Sequence, residues 1–75
     1  MNLVDVNVNE YAVITKMNIE DFKFKTRLQE LGLYEGAEIM LLKFSPLKET
    51  CLVKIFNSVL AIKSEVLNQI EVRLI

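Results

Sequence analysis

The chain has 75 residues, 52% of them hydrophobic, with 9 Lys and Arg against 10 Asp and Glu for a net charge of −1. That length permits one domain, 1–75, and that hydrophobicity excludes intrinsic disorder. The near-neutral balance supplies no field for nucleic acid or an acidic membrane surface, and the lack of histidine removes Ser-His and Cys-His nucleophiles.

From the start, Asn2 to Val8 alternates polar and apolar residues, with turn character at Asn7 and Asn9. Glu10 to Lys16 reads as a strand with Ala12 and Ile14 on one face. Asn18 or Asp21 is then placed to cap a helix over about 21–31, in which Phe24, Leu28 and Leu31 fall at i, i+4 and i+7. Gly32 suits the left-handed residue after that helix, and Leu33 the position that packs back on it. Tyr34-Glu35-Gly36-Ala37 suits a type II turn, with Gly36 at positive φ.

Glu38 to Phe44 follows as a strand with Ile39 and Leu41 inward, and Pro46 makes Ser45 to Thr50 a loop. Cys51 to Phe56 directs Cys51, Val53 and Ile55 inward, and Asn57-Ser58 is read as a two-residue turn with Asn57 at positive φ. Val59 to Lys63 returns with Leu60 and Ile62 inward. Ser64 is expected to cap a helical turn near 64–68 that buries Val66 or Leu67, and Ile70 to Leu74 is the last strand. Short strands with tight turns and one real helix predict a mainly β fold, a small barrel of five to six strands.

The inventory argues against an enzyme. Gly32 and Gly36 are the only glycines, so no Gly-rich phosphate loop exists, and no acidic pair sits in a recognisable catalytic spacing. Both glycines read as turn and cap devices. The lone Cys51 cannot form an internal disulfide and falls on an inward face, as a small core hydrophobe. No signal peptide is evident and the apolar runs are far too short to cross a bilayer, so the expected location is cytoplasmic, without membrane insertion. No cofactor is expected; carboxylates alone offer only weak oxygen ligation to iron or another divalent metal.

The informative feature is the outward face of the central strands. With Ile39, Leu41, Val53 and Ile55 inward, strict alternation turns Met40, Leu42, Leu52 and Phe56 outward. With Phe44 and the Pro46-Leu47 loop, they are expected to form a protein-binding or self-association surface, unless the helix or the N-terminal segment covers it. Arg27 is either a contact to a partner carboxylate or a solvated side chain whose stem covers the core.

The run Arg27-Leu28-Gln29-Glu30-Leu31-Gly32-Leu33-Tyr34-Glu35-Gly36 resembles the RLxELGLxxG signature of FeoA-type domains. In the same register, Asn9-Glu10 with Ala12 and Ile14 resembles the family's opening Gly-Glu-x-Ala-x-Ile. Ser45-Pro46-Leu47 resembles its Ala-Pro-Leu loop, and Leu60-Ala61-Ile62-Lys63 its Leu-Ala-Leu-Arg strand. Asn9, Asn57 and Lys48 stand where the family has glycine, and Glu35 where proline is common; Lys48 is expected to widen or reshape the Pro46 loop. The resemblance implies an SH3-like barrel that accompanies bacterial ferrous iron uptake by acting on the cytosolic part, with its G-protein domain, of the membrane transporter FeoB. Two other readings stay open: a generic SH3-like binding or self-assembling module, including a homo-oligomer, and a metal-sensing domain like those joined to metal-dependent repressors.

Overall fold

The computed structural model describes all residues, 1–75. Its strands are β1 (Tyr11–Met17), β2 (Glu38–Phe44), β3 (Thr50–Ile55), β4 (Ser58–Lys63) and β5 (Ile70–Leu74). Helix α1 (Phe22–Glu30) lies between β1 and β2, and the short helix α2 (Ser64–Leu67) joins β4 to β5. All strand pairs are antiparallel, in the order β4-β3-β2-β1-β5. The mainly β expectation therefore holds, but the sheet is curled without closing: β4 and β5 are its two ends, and no ladder joins them.

Alternation explains the core. Ala12 and Ile14 of β1, Ile39 and Leu41 of β2, Cys51, Val53 and Ile55 of β3, Ile62 of β4, and Ile70 and Val72 of β5 are all buried. Leu3, Leu33 and Leu67 fill the remaining space with no exposure at all, and no polar or charged residue is buried. The alternation at the N-terminus does not make a strand. Leu3–Asp5 is a 3-10 turn, because Asp5 N–H and Val6 N–H donate back to the carbonyls of Asn2 and Leu3, which drops Leu3 and Val6 into the core.

Helix α1 is specified at both ends. The Asp21 carboxylate accepts from the N–H groups of Lys23 at 3.1 Å and Phe24 at 3.2 Å, which settles the choice of cap in favour of Asp21 over Asn18. At the other end Leu33 N–H donates to Leu28 C=O and Gly32 N–H to Gln29 C=O, the paired bonds of a Schellman cap. Gly32 has φ +112°, and a Cβ there would lie 2.9 Å from Ile55 Cδ1. Between its ends the helix buries only Leu28. Phe24 and Leu31, expected in the core with it, remain 38% and 48% exposed, because the helix stands off the sheet across a groove.

The turns carry three departures from expectation. Tyr34–Ala37 closes as read, with Ala37 N–H on Tyr34 C=O and Gly36 at φ +93°. The β3–β4 turn instead comprises Phe56 and Asn57, since Ile55 pairs with Ser58, and Asn57 does not adopt positive φ. Lys48 does, at φ +58°, the left-handed geometry that a glycine would take at that position of the Pro46 loop. Its Ser45 hydroxyl accepts from the N–H groups of Glu49 and Thr50, and Lys48 N–H returns to Ser45 C=O. Ser64 does not cap α2; Lys63 is the cap residue, and the Ser64 hydroxyl donates to Lys48 C=O at 2.6 Å, tying the loop to α2. Both Val66 and Leu67 are buried.

Three substitutions test these devices by thermal or urea unfolding. Asp21→Ala should lose about 1 kcal/mol with its cap. Gly36→Ala should cost about 1 kcal/mol for positive φ alone, since a Cβ there meets nothing within 4 Å, whereas Gly32→Ala should cost about 2 kcal/mol because Ile55 must also move. Lys48→Gly should stabilise by about 0.5 kcal/mol, the left-handed strain relieved less the added unfolded-state entropy.

Candidate protein-binding surface

The outer face of the sheet is built by the same alternation that fills the core. Reading across the strands, Tyr11 of β1 pairs with Met40 of β2, Met40 with Lys54 of β3, and Lys54 with Val59 of β4. A second row runs from Lys43 to Leu52 to Ala61, and a third from Thr50 to Lys63. Leu52 is 40% exposed and Val59 56% exposed, while Met40 and Leu42 are half-buried between their neighbours. Neither α1 nor the N-terminal segment covers this face: Leu28 of the first and Leu3 and Val6 of the second pack into the core on the opposite side.

A bulge in β2 redirects part of the predicted surface. Leu41 pairs with Val53 but Lys43 pairs with Leu52, so Leu42 is an extra residue and the alternation resets. Phe44 therefore pairs with the buried Cys51 and packs against the core, on the face opposite to the one expected. Phe56 is 92% exposed at the hairpin tip and is not a strand residue. Pro46 and Leu47 project from the loop at the other end of β3, about 20 Å away along the strand. Met40, Leu42 and Leu52 thus share one face, with Phe56 beyond one end and the Pro46-Leu47 loop beyond the other.

Charge on this face is one-sided. Lys43, Lys54 and Lys63 lie on it across β2, β3 and β4, with Glu38 as its only acid on those strands. The sequence reading missed these lysines and Val59 as members of the surface. The inward pattern of Leu60 and Ile62 already implied that Val59, Ala61 and Lys63 turn outward, so the signal was present.

Arg27 is exposed and lies apart from this face, on α1, where it lines a groove of about 910 Å3 between that helix, β4 and α2. Its position in the last turn also suits the negative end of the helix dipole. Cys51 has no exposure; burial pushes its thiol pKa up, against a smaller lowering by backbone N–H groups of Lys43 and Leu42, so little thiolate forms near neutral pH. No three His, Cys, Asp or Glu side chains converge. No helix is long and apolar enough to cross a membrane.

Comparison with known proteins follows this geometry closely. Residues 1–74 match the FeoA domain family model. The solution structure of FeoA from Chlorobium tepidum superposes with a TM-score of 0.92 at 27% identity, covering 100% of this chain and 70% of that one. The zinc complex of FeoA from Stenotrophomonas maltophilia, a prokaryotic SH3-domain protein, gives a TM-score of 0.80 at 23% identity over 96% of this chain and 88% of that one. A manganese-dependent transcriptional repressor shares the fold at a TM-score of 0.87 and 12% identity, this chain covering 36% of it. No curated protein sequence matches the chain. The agreement of the family model over nearly every residue with the SH3-like sheet just described leads to one assignment: the chain belongs to the FeoA domain family.

Proposed function

We propose that this chain is a non-enzymatic, cytosolic accessory protein of ferrous iron transport that binds the cytosolic region of a FeoB-type transporter. The family match over residues 1–74 carries the reading, since FeoA domains are associated with ferrous iron transport. What the molecule adds is a means of acting. Its core is wholly apolar and its one thiol is buried, so the outer surface is what a partner would meet.

The face formed by Met40, Leu42, Leu52 and Val59, with Phe56 at its end, supports docking by apolar contact. Lys43, Lys54 and Lys63 among those side chains favour an acidic surface on the partner. The alternative of a metal-sensing domain draws on the fold shared with the manganese-dependent repressor, but the donor set gives it no support.

Leu52→Glu combined with Phe56→Glu tests the docking face. Both side chains are exposed, so the double variant should unfold within a few tenths of a kcal/mol of the parent. Its affinity for the purified cytosolic domain of the transporter, measured by calorimetry, should fall about tenfold or more. Unchanged affinity would move the contact elsewhere, and no binding by the parent chain would refute the transporter reading.

A further inference from the structure

The two ends of the sheet are treated differently. At β5 the N-terminal residues cover the edge: Val72 N–H donates to Met1 C=O at 2.8 Å, and Asn2 forms a bridge with Glu71. At β4 nothing does so. The hairpin closes on the Ile55–Ser58 pair, so the hydrogen-bonded pairs with β3 continue through Leu60 and Ile62, and the N–H and C=O groups of Val59 and Ala61 point away from the sheet. No turn, loop or side-chain hydrogen bond reaches either residue.

That edge borders the groove. Phe24, Leu28 and Leu31 of α1 form one wall, and Leu60 and Ile62 of β4 the other. A bare row of strand donors and acceptors beside an apolar trench is the arrangement that accepts an added strand, with main-chain bonds for affinity and alternate side chains for selectivity. We infer that the β4 edge takes an extended polypeptide segment of alternating pattern as a further strand, its inward side chains lying in the groove against α1.

The register specifies the chemistry of that segment. Its inward positions meet Leu60 and Ile62 on β4 and Phe24, Leu28 and Leu31 on α1, and so are apolar. Its outward positions continue the rows of the outer face: beside Val59 an apolar residue, beside Ala61 a small one, beside Lys63 an acid. Charge complementarity favours the acid. That preference rests on Lys63 at the end of β4, since the groove as a whole is lined by Arg27 and Lys63 against Glu20, Asp21 and Glu65. This inference is independent of the transporter reading, because any protein presenting such a segment would satisfy it.

Two synthetic peptides test it, Ser-Val-Leu-Ala-Leu-Glu-Ser and the reverse order Ser-Glu-Leu-Ala-Leu-Val-Ser, for the two possible strand directions. In amide NMR titrations one of them should slow hydrogen exchange at Val59 and Ala61 about tenfold or more. Ala61→Pro removes an outward N–H at a position where an edge strand tolerates proline, and should weaken binding about tenfold. Lys63→Glu should weaken it as well, and a peptide with Lys in place of Glu should restore it. Failure of both peptides at millimolar concentration would overturn the inference. So would shifts centred on Met40 and Leu52 that ignore Ala61→Pro. Protection of Val59 and Ala61 that grows with the concentration of the chain alone would also overturn it, assigning the edge to a second copy.

Discussion

Ala12, Ile14, Ile39, Leu41, Cys51, Val53 and Ile62 line one face of one curled sheet, and no polar side chain is buried among them. A chain this short buries only about 60% of its unfolded surface, so it cannot supply a second core. Burying one face commits the other to solvent, because successive strand residues point oppositely. The apolar side chains left over then have nowhere to go but the outside. Leu52 and Val59 are exposed for that reason, and Phe56 because it stands in the hairpin turn.

The helix obeys the same constraint in a different way. Its ends are fixed by local bonds, the Asp21 cap and the Schellman pair at Gly32 and Leu33, and it needs little packing along its length. Gly32 sits so close to Ile55 that the C-terminal end is held against the sheet. The rest of α1 stands off β4, which opens the groove beside the one sheet edge that no other part of the chain covers. The exposed apolar face and the groove thus share a cause: too little chain to cover everything that a sheet exposes.

Lysines temper both surfaces. Lys43, Lys54 and Lys63 interrupt the apolar outer face, and Lys63 stands on the free edge strand, where charge discourages uncontrolled strand pairing. On the proposed docking, the same charges would favour an acidic partner over a second copy that carries the same lysines.

Much of this was legible in the residues. The strand alternation, the helix over Phe22–Glu30, the cap at Gly32 and the Gly36 turn all follow from local sequence, because each depends on contacts within a few positions. The resemblance of Arg27 to Gly36 to the FeoA signature likewise carried the family. What the residues left undecided depended on pairing between distant segments. The β2 bulge that turns Phe44 inward exists only as a mismatch between Leu41–Lys43 and Leu52–Val53, which no single strand records. The standing-off of α1, the positive φ of Lys48 held by Ser45 and Ser64, and the bare edge of β4 are decided where separate parts of the chain meet. Local bonds are written in neighbouring residues; the choice of which edge and which face stays open is made only when the sheet assembles.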